Sequence, residues 1–206
     1  MKKLSYIFSV WVMLLGVLFN TSTHAQYIKL DNGFTVSSFN NNDDLPFLED
    51  RVVNYSFLIG IDYMEKNWFY LSSQVGYMRL SGEETNPLLQ GEFSNFTENK
   101  NFIHFNTTFR GYIRSSGFKI IAGLGPYINV LADSDDFDSS LYEGYDYQDI
   151  HTGAISEFGL THDLDKLRFG LIGRYILGLS STASNEFISL YTDAFSLMVT
   201  VGYDIF

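Results

Sequence analysis

Ser156 and Glu157 stand side by side in HTGAISEFGLTHD, with His151 and His162 near the ends of the same stretch and His104 well upstream. A serine nucleophile needs an imidazole within hydrogen-bond reach and an acid to orient that ring. The stretch has the alternation of a strand, so Ser156 and Glu157 point to opposite faces, and the histidines fall in different strands or at strand ends. No Ser-His-acid set assembles, which disfavours a lipid-modifying barrel enzyme; the expectation is no enzyme and no catalytic residue. The fourth histidine, His24, lies in the leader, and the four show no metal spacing. The acidic run DSDDFDSSLYEGYDYQD at 133–149 invites comparison with a calcium loop. Phe137 stands at its fifth position, Asp138 replaces the turn glycine, and Gly144 replaces the closing glutamate. A solvated acidic loop is the expectation, with loose divalent-ion bridging to lipopolysaccharide as its remaining chemistry. Neither a cofactor nor a metal is expected.

The charges that do carry information sit inside alternating segments. Eight such segments follow residue 26: Tyr27–Phe39, Val52–Met64, Trp68–Leu80, Asn101–Arg114, Phe118–Leu131, His151–His162, Leu167–Leu179 and Ala194–Phe206. In the second, Val53, Tyr55, Phe57, Ile59, Ile61 and Tyr63 occupy one face, with Asn54, Ser56, Gly60 and Asp62 on the other. Lys29, Asp31, Asp62, Arg110, Lys119, Glu157, Arg168, Arg174 and Asp204 all share the parity opposite to the large apolar rows. One face of each strand therefore meets apolar material and the other carries paired charge.

Connections between the segments alternate in length. Glu65-Lys66-Asn67, Ser115-Ser116-Gly117 and Asp163-Leu164-Asp165-Lys166 are tight, while the stretches near 40–51, 81–100, 132–150 and 180–193 are long, polar and acidic. Short turns at one end and long loops at the other predict an all-β fold, an eight-stranded antiparallel up-and-down transmembrane β-barrel. Segments of this length suit a tilted span of roughly 9–11 residues. Eight strands leave a lumen only wide enough for side chains, so charges facing it must pair, and a general porin is disfavoured. Aromatic rings near the short turns, at Tyr63, Trp68, Tyr112, Phe118, Phe169 and Tyr203, suit a membrane interface. A soluble lipocalin-like barrel is the alternative, but it should carry charge on its outer strand faces, and here the surplus lies in the loops.

If the corner at Asp163–Lys166 closes with Asp165 and Lys166 as its central pair, residues whose numbers sum to 331 face each other, which sets Glu157 opposite Arg174. The same reasoning brings Asp204 near Arg168 on one side and Lys29 on the other.

The first 25 residues read as a signal peptide. Lys2 and Lys3 precede an apolar run from Leu4 to Phe19 and a polar stretch ending Thr23-His24-Ala25. The run is short for an uncleaved spanning helix. The barrel domain is expected over 26–206, in the bacterial outer membrane, with termini periplasmic and long loops extracellular. Cleavage removes two lysines and no acids, taking the formal charge from −11 to −13, which makes nucleic acid an unfavourable partner. Cysteine is absent, so disulfides, thiolate sites and a lipidated N-terminal cysteine are excluded.

FKIIAGLGPYINVLADS at 118–134 resembles the central Gly-Pro-Tyr strand of the PorT-like outer-membrane β-barrel proteins of Bacteroidetes. Gly153, Glu157 and Gly159, followed by LRFGLIGRYILGLSS at 167–181, resemble that family's next hairpin, and VGYDIF resembles its closing strand. The resemblance covers roughly 118–206 and rests on fold signatures. It implies a small OmpA/OmpW-type barrel, some of whose kin assist type IX secretion. One departure is Asp204 at the third position from the end, where an apolar residue is usual; Val201, Tyr203 and Ile205 form the apolar row and leave Phe206 as a rim residue.

The function expected is that of a small non-enzymatic surface or accessory barrel. Its partners would be outer-membrane lipid and lipopolysaccharide, the barrel assembly machinery through the last strand, and an unidentified protein. The alternative is a narrow conduit or binding barrel for a small apolar ligand, of the OmpW type, which unpaired bulky apolar residues inside the lumen would favour.

Overall fold

The computed structural model describes residues 25–41, 50–85, 95–134, 146–184 and 189–205. Ten strands form: β1 (Ala25–Asn41), β2 (Asp50–Tyr63), β3 (Phe69–Thr85), β4 (Asn95–Ser115), β5 (Phe118–Ser134), β6 (Asp146–Tyr147), β7 (Ile150–Leu164), β8 (Leu167–Gly178), β9 (Ala183–Ser184) and β10 (Ser189–Asp204). Eight of them, without the two-residue β6 and β9, follow one another antiparallel in the order β1-β2-β3-β4-β5-β7-β8-β10, and β10 pairs with β1 to close the sheet. The chain is a closed eight-stranded all-antiparallel β-barrel.

Closure fixes the tilt. Following the rungs from Lys29 through Gly60, Gln74, Asn106, Tyr127, Gly153 and Gly178 leads to Thr192, whose partner is Phe39. One circuit climbs from residue 29 to residue 39 of the same strand, a stagger that requires strands inclined by roughly 35–45° to the barrel axis.

The tight turns lie where the alternation breaks. Ser115 pairs with Phe118, and Ser116 and Gly117 both adopt positive φ (49° and 86°), the two-residue geometry whose twist matches a hairpin. Leu164 pairs with Leu167 across Asp165-Lys166, so the partners do sum to 331. The third short connection is longer than a tight turn, with Lys66 donating to the Phe69 carbonyl.

At the opposite end the strands run further than the alternation alone indicates. Residues 81–85 and 95–100, expected as loop, pair as β3 and β4 out to Thr85 and Asn95, and 189–193 belong to β10. β6, β9 and the start of β10 form a small ladder there: Tyr147 pairs with Ala183, Ala183 with Leu190, and Gln148 donates to the Thr182 carbonyl. The expected leader, Phe206, and the segments 42–49, 86–94, 135–145 and 185–188 lie outside the described residues.

The two surfaces differ as alternation requires. Val53, Tyr55, Phe57, Ile59 and Ile61 are exposed outward, as are Phe105, Phe109, Leu171, Leu197 and Val199, while Ser56, Asp62, Arg110, Arg174 and Thr200 are buried inside. Such an inversion suits a hydrocarbon surround. Charge also divides along the axis. Strand ends and connections on the long-loop side hold seventeen acids against Arg51, Arg79 and Lys100, a balance of −14. The rest of the barrel from Gln26 onward holds seven acids and eight bases, a balance of +1.

A closed hydrogen-bonded barrel leaves no free edge from which unfolding can start. The refolded protein should therefore migrate faster on a detergent gel before boiling than after, and one mobility under both treatments would contradict closure.

Candidate functional site

The lumen is the only place where charged side chains converge among the described residues, and it has two regimes. On the short-turn side, ten ionic groups form one connected network. Glu157 accepts from Arg110 Nε at 2.7 Å and Arg174 Nε at 2.6 Å, and the Arg110 Nη2 contact adds a third bond at 3.0 Å. Arg174 reaches on to Asp31 and to Gln74 Oε1 at 2.6 Å. Asp62 lies 3.2 Å from Lys29 Nζ and 3.1 Å from Arg168 Nη1. Arg168 continues to Glu65 at 3.1 Å and Asp163 at 2.8 Å, and Lys119 binds the same two acids at 2.6 and 2.9 Å. Lys29, Arg110, Lys119, Arg168 and Arg174 thus balance Asp31, Asp62, Glu65, Glu157 and Asp163, with Arg114 at the solvent edge of the mouth beside Glu65. A neutral, mutually paired set is the form in which charge can be taken out of water.

The hairpin register sets Glu157 opposite Arg174, and their side chains meet. Two partnerships expected for Asp204 are corrected: the register sets Gly202, not Asp204, opposite both Arg168 and Lys29. Asp204 sits half-buried at the rim, paired with Tyr27, its N–H donating to the Lys166 carbonyl. Arg168 is paired with Asp62, Glu65 and Asp163, and Lys29 with Asp62 and Asp31. Sequence reasoning also missed Glu65 and Asp163 as lumen residues. Asp163 is the penultimate residue of β7 and shares the inward parity of Glu157, though its sequence reads as part of the turn. Glu65 lies between strands, where parity gives no direction, and folds back under the mouth to accept from Tyr112, Arg114, Lys119 and Arg168.

Room for these large side chains comes from glycine. A Cβ at Gly123 would stand 3.1 Å from Arg110 Cγ and 3.1 Å from Glu157 Oε2, so the strand that carries the Gly-Pro-Tyr sequence is bare where the pair must pass.

Beyond Arg174 the lining changes. Met78, Leu80, Phe102, Tyr127, Ile155, Ile176 and Ala194 pack into one buried cluster with Leu131 against it. The inward row therefore holds large apolar groups as well as charges: these residues share the inward parity with the charges, but lie on the long-loop side. His104 stands between the two regimes, stacked on Tyr127. With its proton on Nδ1 the ring donates to Asn129 Oδ1 at 2.5 Å and accepts from Asn106 Nδ2 at 3.0 Å. Above the cluster, Lys100 pairs with Glu98 at 3.0 Å and lies over the Phe39 ring. His151 hydrogen-bonds the Gln148 carbonyl, and His162 stacks on Phe118 on the outer surface, so the histidines serve three separate places.

Of the six aromatics expected at an interface, Trp68, Phe118, Phe169 and Tyr203 are exposed outward, and the outward Tyr63 is held by Ser73. Trp68 packs edge-on against Phe109. Tyr112 is the exception. Its even-numbered place in β4 faces the mouth, where its hydroxyl donates to the Lys66 carbonyl at 2.6 Å.

Fold and lumen together define a small barrel whose interior is a packed, charge-neutral strut. No family model matches the chain, and no curated protein matches it. Among solved structures it is similar to the crystal structure of Neisserial surface protein A, at 12% identity and TM-score 0.53, over 90% of this chain and 100% of that one. It is also similar to Ail, the attachment invasion locus protein of Yersinia pestis, solved with the heparin analogue sucrose octasulfate, at 13% identity and TM-score 0.46, over 87% and 99%. A third is the solid-state NMR structure of outer membrane protein AlkL in DMPC bilayers, at 16% identity and TM-score 0.48, over 89% and 92%. At these identities the likeness is one of fold.

Glu157→Gln should lower stability by about 3–5 kcal/mol, because Arg110 and Arg174 lose a shared counter-ion. The double change with Arg174→Met should cost less than the sum of the single changes, and urea unfolding in detergent micelles measures both; strict additivity would mean the two residues do not interact. Gly123→Val should cost roughly 1–3 kcal/mol by overpacking the same pair.

Proposed function

We propose that this chain is a small, non-enzymatic integral protein of the bacterial outer membrane, with a closed lumen, periplasmic termini and an acidic end directed outward. The observation that carries the reading is the ten-membered ion network, which fills the short-turn half of the lumen and leaves each charge paired. A channel needs mobile charge and water along its axis; here the side chains that would attract ions are spent on one another. The apolar outer belt and the fold shared with Neisserial surface protein A support membrane insertion. The balance of −14 at the long-loop end supports an outward direction, since those connections are too polar to rest in hydrocarbon.

The role that follows is that of a surface or accessory protein. Outer-leaflet lipopolysaccharide would meet the acidic end through divalent ions, and the assembly machinery would read the outward row Leu197, Val199, Val201 and Tyr203 of β10. Nucleic acid is not a partner on charge grounds. The narrower kinship with PorT-like barrels, and with it a secretion-related role, is supported by the Gly-Pro-Tyr strand and by the pairing of Glu157 with Arg174 in the following hairpin. The apolar cluster around Met78, Phe102 and Ile176 favours a second reading, a binding barrel for a small apolar ligand. Against it, the cluster's side chains fill the space among themselves.

In a planar bilayer the purified barrel should give no stepwise conductance, and discrete ion channels in the wild type would remove the sealed-lumen reading. A peptide tag inserted after Ser140 should be labelled on intact cells. Labelling only after permeabilisation would reverse the orientation.

A further inference from the structure

On the outer surface of β7, β8 and β10 the apolar belt has a gap. Gly173 is outward on β8 between Phe158 of β7 and Leu197 of β10, with Ser156 small at the next position. The result is an open groove of about 650 Å³. Its walls are large: Phe158 and Leu160 on one side, Phe195 and Leu197 on the other, with Leu171 along the floor.

The groove has direction. Along β8 its floor runs from Phe169 near the short turns to Tyr175. Those six steps make about 20 Å of strand, or roughly 15 Å along the barrel axis at this tilt. That is half of the roughly 30 Å hydrocarbon thickness, the depth of one leaflet. At the short-turn end the His162 ring lines the groove, and the exposed Lys166 stands in the adjoining turn. At the far end the Tyr175 hydroxyl is turned to Asp193. One end therefore offers an imidazole ring and a cation, and the length between is apolar.

We propose that this groove is a docking site for one glycerophospholipid of the leaflet on the short-turn side. An acyl chain lies over Gly173 between the Phe158 and Phe195 ridges, and the phosphate meets His162 and Lys166. In a membrane, where apolar burial itself gives no preference, close packing against a small residue is what separates a held lipid from its exchanging neighbours. The inference rests on the strands spanning a bilayer.

Gly173→Leu tests it, because the site tolerates a side chain. A Cβ there would meet the Phe195 ring at 3.4 and 3.6 Å and the Phe158 carbonyl oxygen at 3.7 Å, ordinary contacts, so the barrel should fold with the groove filled. The protein is reconstituted in phosphatidylethanolamine vesicles doped with phosphatidylethanolamine bearing a photoactivatable acyl chain, and adducts are mapped by mass spectrometry. Wild type should show adducts concentrated on Phe158, Leu171 and Phe195. Gly173→Leu should reduce them by roughly fivefold, equivalent to about 1 kcal/mol of lost packing, and His162→Ala should reduce them without altering folding. Val53→Leu, on the other side of the belt, should leave them unchanged. Adducts spread evenly round the belt, or unaffected by Gly173→Leu, would overturn the site, and a protein dimer lost in Gly173→Leu would assign the groove to a second copy instead. Absence of adducts anywhere would count against the membrane reading itself.

Discussion

Glu157 is held from two sides by Arg110 and Arg174, and the rest of the lumen is arranged around that contact. The three residues come from β7, β4 and β8, and Arg174 continues to Asp31 of β1. A single buried carboxylate thus joins strands that are remote in sequence and lie on different walls of the barrel. An isolated charge in such a place would cost several kcal/mol. Placed between two guanidinium groups, each forming oriented bonds, it becomes the centre from which the other pairings extend: Asp62 to Lys29 and Arg168, then Glu65 and Asp163 to Lys119.

The geometry of an eight-stranded sheet explains why the contact takes this form. The circuit that climbs from residue 29 to residue 39 sets both tilt and radius, and the radius leaves a column that side chains must fill. Long guanidinium side chains can cross that column. Short or absent side chains have to face them, as Gly123 does beside Arg110 and Glu157. Further along the axis the column is filled by apolar packing instead, with the His104-Asn129-Asn106 layer marking the change. Both ends are closed by ion pairs, by Glu65 with its cations at one and by Glu98 with Lys100 at the other.

Much of this was legible in the amino-acid sequence, and the limits are instructive. Alternation identified the strands because an outward apolar face and an inward polar one differ in every second residue. Turn length identified the two ends. A two-residue turn at Asp165-Lys166 was enough to set Glu157 opposite Arg174, since a hairpin register follows from its turn. What stayed hidden needed the closed sheet. Arg110 meets Glu157 on one rung across Gly123 of β5, through a β5–β7 register that no short turn fixes. Glu65 lies between strands, where no period dictates a side-chain direction, and Asp163, which shares the inward parity of Glu157 in β7, was hidden by being read as part of the turn. Tyr112 shows the converse error: reading it by residue type placed it at an interface, while its parity in β4 faces the mouth. The apolar cluster at Met78, Phe102 and Ile176 escaped because parity separates inside from outside and says nothing about height along the axis. The fate of Asp204 was misjudged for a similar reason, a slip of two residues at a seam that no turn connects.

The division of charge along the axis has a collective consequence. Since the barrel body is close to neutral, almost the whole field of the molecule arises at one end, and copies inserted in the same sense would present that end in one plane. Fixed like charges in a plane repel over about 8 Å at physiological ionic strength and over several times that distance in dilute salt. Spacing between copies then becomes a property of the medium: monovalent salt relaxes it, divalent ions can reverse it, and a surface populated by such barrels behaves as a two-dimensional polyelectrolyte.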